Sequence, residues 1–185
     1  MTHSPARDVW TYAEYARLPD DGNRYEVIDG EVQVTPAPGT RHQDIAANLF
    51  VAVREYVRQH HLGVVLWDVD LLVVEGQFLR PDFLWVPNDG RAGITDRGVE
   101  VAPGLVGEVL SPSSRAIDLV KKPRRYHEFG VPEYWVADPV ERIVHRFVFA
   151  ADAIEPQRIE GTLNWQPSAA VARLVIELDG IFAAF

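Results

Sequence analysis

The chain has 185 residues, with 18 Lys and Arg against 27 Asp and Glu, six His and no Cys. That length holds one well-buried core and is short for two, and without cysteine neither a disulfide framework nor a thiolate metal site is possible. A net charge of −9 argues against nonspecific nucleic-acid binding through a broad basic surface, though not against a locally basic channel beside an acidic metal site.

Hydrophobic residues make up 47% of the chain, as in a folded globular domain. The opening "MTHSPARDVW" has no apolar h-region, so no signal peptide is expected. No apolar run approaches the length of a membrane span. The absence of cysteine suits a reducing compartment, and a cytoplasmic location is expected.

In chain order, "TYAE" (Thr11 to Glu14) reads as a capping box opening a short helix that ends near "LPDDGN". "RYEVIDGEVQV", Arg24 to Val34, reads as two strands around the hairpin signal Asp29-Gly30. After "TPAPG" the pattern turns helical from Thr40 to about His61, with Ile45, Leu49, Ala52, Val53, Tyr56 and Val57 recurring at three and four. Thr40 and Gln43 suggest a cap. Gly63 to Pro87 reads as two or three strands with a turn at Glu75-Gly76. "NDGRAGITDRGVEVAPG" reads as a loop holding one helical turn.

Leu105 to Leu110 reads as a strand, and the serines of "SPSS" as caps for a helix running to about Phe129 and stopped by Gly130. "EYWVAD" and "ERIVHRFVFA" read as strands joined at Asp138-Pro139. The tail reads as a strand and a short terminal segment. With no repeat, low-complexity tract or linker, one domain over residues 1–185 is expected, of α/β class with a mixed central sheet.

Three acids stand in stretches that otherwise look buried: Glu26 in "RYEVI", Asp82 in "LRPDFLWV" and Glu108 in "LVGEVL". Charges in core strands are rare unless paired or bound to a metal. An edge strand or a partnering arginine, Arg24 or Arg80, would explain one of them, but three in one small domain point to a shared site. Clustered carboxylates suit a hard cation such as Mg²⁺, which takes one or two of them and completes its shell with water and phosphate.

Other residues read more plainly. Asp118 and Lys122, four apart, fit a solvated helical ion pair of about 0.3–0.5 kcal/mol. His42, at the start of the apolar helix face, fits a hydrogen-bonded structural histidine, although a helix N-terminus can face a site. Tyr126, Tyr134 and Trp135 fit a core. No Walker A, Rossmann fingerprint or HExxH is present, and no Ser-His-Asp pattern is visible.

In order along the chain, "RYEVIDGEV", "RH" opening a helix, "RPDFLWV" and "LVGEVLSPSSRAIDLVKKPRRYHEFGVPEYWVADP" resemble the Uma-two family, a group within the PD-(D/E)XK nuclease superfamily. The resemblance covers about residues 10–150, and its most specific part runs from Glu108 through "GVPEYWVADP". It implies a restriction-endonuclease-like fold, a central mixed β-sheet flanked by helices. It also implies Mg²⁺- or Mn²⁺-dependent hydrolysis of DNA phosphodiester bonds, and a homodimer.

Residue by residue, Asp82 matches the acid of the "PD" element, Glu108 the second acid, and Glu26 the family's hairpin acid. The superfamily's usual lysine stands two residues after the second acid, where this chain has Leu110. The Uma-two pattern instead places a lysine on the next helix, four residues after an aspartate and four before a tyrosine, as Asp118, Lys122 and Tyr126 do. The resemblance thus implies Asp82, Glu108 and the Val109 carbonyl as metal ligands, Lys122 acting on the water or transition state, and Glu26 as a third carboxylate. Pro123 is expected to push Lys122 out of the α region and bend the helix, leaving Lys121 as the other candidate lysine. Gly107 is expected to weaken its strand. The alternative is a catalytically inactive nucleic-acid or protein interaction module on a nuclease scaffold.

Overall fold

The computed structural model describes residues 10–149 and 154–183. The expectations about a leader in residues 1–9, about Ala150 and about the last two residues lie outside that range.

Helix α1 (Tyr12–Tyr15) opens with the expected capping box, Thr11 and Glu14 each bonding the other's backbone. Strands β1 (Arg24–Ile28) and β2 (Glu31–Thr35) form the hairpin, with Glu26 opposite Gln33. Asp29 and Gly30 both take positive φ, 58° and 75°, as a two-residue turn matched to strand twist requires. Helix α2 (Thr40–Gln59) buries Ile45, Ala46, Leu49, Val53, Tyr56 and Val57. The branched aliphatic side chains among them, Ile45, Leu49, Val53 and Val57, contribute about 1.5–3 kcal/mol each when fully buried, which fixes the helix against its sheet. The expected Thr40–Gln43 cap does not form: Gly39 is the N-cap and no side chain caps the helix.

Gly63 to Pro87 holds four strands rather than two or three: β3 (Gly63–Trp67), β4 (Leu71–Val74), β5 (Gln77–Leu79) and β6 (Phe83–Pro87). The stretch expected as a loop contains a 3₁₀ turn (Asn88–Gly93) and two short strands, β7 (Ile94–Thr95) and β8 (Gly98–Val99). Strand β9 (Leu105–Val109) leads to the serine turn, where Ser111 and Ser114 bond each other's backbone N–H reciprocally.

A π-helical turn (Ile117–Lys121) follows and passes directly into α3 (Lys122–Glu128). Here the Pro123 expectation fails. Lys122 keeps α geometry at φ −61° and ψ −39°, and its N–H reaches back to the Ile117 carbonyl. The chain absorbs the proline by widening the turn before it, and such π turns are frequent at functional sites. Strands β10 (Glu133–Asp138) and β11 (Ile143–Val148) form the expected hairpin. Two further strands, β12 (Gln157–Ile159) and β13 (Thr162–Trp165), were not anticipated. The chain continues with β14 (Leu174–Glu177) and α4 (Leu178–Ile181).

The central sheet runs β12-β11-β10-β9-β6-β3, with β9 and β10 parallel and the other pairs antiparallel. A second sheet runs β2-β1-β5-β4-β8-β7, and β13 pairs with β14. Strand alternation divides the central sheet's side chains. Phe83, Trp85, Leu105 and Val109 pack under α2 with α4 and Trp165. Leu84, Val86, Val106 and Leu110 face the second sheet and α3, meeting Ile28, Leu79, Tyr126 and Tyr134.

Gly107 is a packing requirement rather than a weak point. It lies opposite Phe83, and a Cβ there would come within 2.1 Å of the Phe83 ring. The missing side chain lets that ring cover the strand next to Glu108.

Candidate active site

The register of β6 and β9 positions the first two acids. Phe83 pairs with Gly107, so one step further Asp82 faces Glu108. Alternation puts Asp82 on the side of Leu84 and Val86, and Glu108 on the side of Val106 and Leu110. Both are 2% exposed. The Val109 N–H donates to Asp82 Oδ2 at 2.8 Å, tying the end of one strand to the acid of the other. That N–H is the contact through which Val109 meets the acid pair.

The other residues arrive from β1 and α3. Glu26 shares its face of β1 with Ile28, toward the central sheet. Its Oε1 accepts from the Arg80 N–H at 2.8 Å, and its Oε2 lies 3.0 Å from Lys122 Nζ. Lys122 donates to Glu108 Oε1 at 2.7 Å. It also lies 3.2 Å from Asp118 Oδ1, a charge contact without good hydrogen-bond alignment. Tyr126, one turn on, donates its hydroxyl to the same Glu108 oxygen at 3.1 Å. Asp118 and Lys122 are therefore not the solvated pair that their spacing also allowed, since both are 2% exposed. Lys121 instead reaches Glu31 on the hairpin, at 3.2 Å, and is 40% exposed.

Burial pushes the Glu108 carboxyl well above the usual range even though Lys122 pulls it down, and burial raises Asp118 in the same way. Burial alone would lower Lys122, but Glu108, Glu26 and Asp118 outweigh it and hold the ammonium well above the ordinary lysine range. Lys122 is therefore charged at neutral pH. Burial also lifts the Tyr126 and Tyr134 phenols, so they remain donors.

Two residues that the sequence reading did not assign to the site are in it. Arg24, at the start of β1, donates Nη1 to Asp82 Oδ1 at 2.9 Å, and Nη1 also lies 4.0 Å from Glu108 Oε2. Its Nη2 donates to Asp68 Oδ1 at 3.1 Å. Burial opposes its charge, but Asp82, Glu108 and Glu26 raise its pKa overall. His42, near the start of α2, puts Nε2 3.3 Å from Asp82 Oδ2. Its buried Nδ1 has no partner among the described residues. The signal for Arg24 was its place two residues before Glu26 on the same strand, which made it a possible partner for one of the acids, and for His42 its place at a helix N-terminus. Neither one names the acid it meets.

A cleft of about 230 Å³ opens over Glu26, Glu108, Asp118 and Lys122, roofed by the 35–39 loop and flanked by the serine turn. A neighbouring cavity of about 220 Å³ is lined by Trp67, Asp68, Arg80 and Asp82 and shares Arg24 and His42 with the first.

No three His, Asp or Glu side chains among the described residues form a ready ion cage. The donor set still suits a hard cation, because Mg²⁺ commonly takes only one or two carboxylates. Asp82 and Glu108 supply these on one face, and the positive group between them is the Arg24 guanidinium.

No curated protein matches the chain. A solved structure does: a protein from Anabaena variabilis, described as a "putative nuclease belonging to DUF820", aligns with TM-score 0.75 and 16% identity over 94% of this chain and 97% of that one. That likeness speaks to the fold, which is α/β and nuclease-like. The Uma2 family, described as "Putative restriction endonuclease", matches residues 12–179. With its acids, lysine and tyrosine gathered on facing elements of that fold, the chain belongs to the Uma2 family.

Proposed function

We propose that the chain hydrolyses phosphodiester bonds of DNA with Mg²⁺ or Mn²⁺ as cofactor. The observation that carries this reading is the placement of Asp82 and Glu108 on one face of paired strands, with Lys122 Nζ 2.7 Å from Glu108 at the floor of a cleft. Asp82 and Glu108 would hold the cation, with the Val109 carbonyl as the backbone ligand that the family resemblance implies. When bound, the ion supplies Lewis acidity toward the phosphoryl oxygens.

The remaining work falls to the chain itself. Lys122, charged and fixed by three carboxylates, brings positive charge to where negative charge develops on the phosphate. Glu26, with one oxygen on the Arg80 N–H and the other on Lys122, positions that ammonium. Tyr126 holds the Glu108 oxygen that Lys122 shares, which leaves the other oxygen turned toward Arg24. Two copies of the chain, each with one such site, would suffice to cut both strands of a duplex.

A second reading has its own observation. All three Lys122 carboxylate contacts and the Arg24 bridge are closed ion pairs, as expected of a scaffold retained for binding without cleavage. The test is a cleavage assay on supercoiled plasmid and on single-stranded DNA with Mg²⁺ or Mn²⁺, using the parent and Glu108→Gln. Metal-dependent cutting by the parent and none by Glu108→Gln supports the nuclease. Binding of DNA without any divalent ion, and no cutting under any condition, supports the inactive module.

A further inference from the structure

Arg24 holds the one position in the site where the acid pair and a metal ion make competing demands. Its Nη1 lies against Asp82 Oδ1 and faces Glu108 Oε2, the oxygen that neither Lys122 nor Tyr126 occupies. A cation shared by Asp82 and Glu108 would seek the same two oxygens. Two positive groups cannot both sit there without strong repulsion, so the guanidinium must move or the ion must stay out.

The surroundings decide between these. The β1 backbone at Arg24 is fixed by its pairing with Thr35, so only the side chain has freedom. That side chain is forked: while Nη1 is on Asp82, Nη2 is already on Asp68 at 3.1 Å. Asp68 is anchored beside its rival, its N–H donating to the Asp82 carbonyl at 3.1 Å. It is also the wetter of the two acids, with its side chain 36% exposed against 2% for Asp82. The cavity of about 220 Å³ on the Asp68 side gives the guanidinium room to withdraw. One hydrogen bond breaks and the other persists. Lys122 has no comparable second partner: a cleft opens over it, but the three carboxylates it pairs with are all only 3–5% exposed.

We propose that Arg24 is the resident counter-cation of the Asp82–Glu108 pair, displaced by the divalent ion onto Asp68. This rests on the metal-dependent reading above and deepens it. Arg24 neutralises two buried acids while no ion is bound and lowers the apparent metal affinity by the fraction of time it occupies their shared position. Residues 24 and 68 would then set the metal concentration at which the site assembles.

The experiment is a Mn²⁺ titration of the full chain, with free Mn²⁺ read by electron paramagnetic resonance and each variant's folding checked by thermal melt. Arg24→Gln should bind Mn²⁺ at least about tenfold more tightly than the parent, since the competing state is gone. Asp68→Asn, at a half-exposed position, should bind Mn²⁺ several-fold more weakly, because the displaced arginine loses its acceptor. Arg80→Gln controls for net charge: its side chain also pairs with Asp68 and is 40% exposed. It should change affinity by less than about threefold, as loss of a screened exposed charge does.

If the parent binds Mn²⁺ and Arg24→Gln binds it no more tightly, Arg24 is a fixed structural partner; the inference is overturned and the nuclease reading stands. An Arg80→Gln effect as large as that of Arg24→Gln overturns it too, by reducing it to net charge. Should Arg24→Gln fail to fold, unchanged affinity in Asp68→Asn is equally fatal. No Mn²⁺ binding by any of the proteins overturns both this inference and the metal dependence proposed above.

Discussion

The two cation–carboxylate assemblies of the site differ in how they are closed. Around Lys122, Glu26, Glu108 and Asp118 lie within 3.2 Å of one ammonium, and every member is almost fully buried. Around Arg24, one partner is as buried as those, but the other, Asp68, is 36% exposed. A buried charge that loses its only partner is costly, whereas a charge with an exposed second partner can be re-paired cheaply. The Lys122 nest is therefore part of the fold, and the Arg24 bridge is a part that can be exchanged. Glu108 joins them, with one oxygen in each.

The largest test of that contrast is Lys122→Met, which leaves three buried carboxylates with no cation closer than Arg24, 4.0 Å from Glu108. We expect a loss of about 3–5 kcal/mol at neutral pH, the usual cost of breaking a buried pair from one side. The loss should depend on pH. Burial already raises Glu108 and Asp118, and without Lys122 their folded pKa values rise further. Acids raised in the folded state contribute stability that is complete below their unfolded values, about 4, and is lost as pH rises through the folded ones. Lys122→Met should thus be nearest to the parent in acid and fall away toward neutrality. In the parent, Lys122's own contribution is complete below the ordinary lysine range and disappears only as pH rises through its still higher folded value. Chemical denaturation of both proteins from about pH 4 to pH 8 checks this, and a loss that is small or independent of pH would show that the nest does not depend on its lysine.

A smaller effect is expected at the other assembly. Asp82→Asn keeps an oxygen for the Val109 N–H but removes the charge that faces Arg24. Arg24 retains Asp68, so melting without metal should show a loss of roughly 1.5–3 kcal/mol, in the range of one charged hydrogen bond. Simple crowding of like charges would have predicted no loss, or even a gain. The arginine in the structure reverses that sign. A loss as large as that of Lys122→Met would erase the distinction between the two assemblies.

How much of this was legible in the chain depends on how local each signal is. Glu26, Asp82 and Glu108 stood out because each interrupts an apolar run, and all three are buried in one region. The hairpin at Asp29-Gly30 and the apolar face of α2 were equally local, and both formed. Lys122 was reached only through the family's spacing, since a lysine in "KKPRR" looks solvated. Arg24 was legible as a possible partner for one of the three acids, and it does pair with Asp82. That it bridges to Asp68 and faces Glu108 was not, because positions 68, 82 and 108 are brought together only by the fold.

Pro123 and Gly107 were misread for the same reason. The proline's effect was absorbed by a π turn whose period differs too little from 3.6 over five residues to be seen in sequence. The glycine's purpose depends on the Phe83 ring across the strand pair. Strands β12 and β13, with "QRI" and "TLNW", are too short and too polar to show a clear alternation.

The smallest expected effect is the one that separates two neighbouring lysines. Lys121 and Lys122 follow each other in sequence, and helix geometry turns them about 100° apart, so they face different surroundings. Lys122 turns inward to the three acids, while Lys121 turns to Glu31 on the hairpin, where both side chains are more than a third exposed. An exposed pair of this kind contributes about 0–1 kcal/mol and is screened by salt. Lys121→Ala should therefore melt within a few degrees of the parent and bind Mn²⁺ with the same affinity. Its cleavage rate at saturating DNA should also match, because nothing in the Lys122 nest or the Arg24 bridge touches Lys121. Any effect on DNA binding should shrink as salt is raised, in proportion to one phosphate contact at most. A Lys121→Ala protein that folds and binds metal but no longer cuts would place the reacting phosphate on the hairpin side of α3, and would remove the Lys122 cleft from consideration as the site of chemistry.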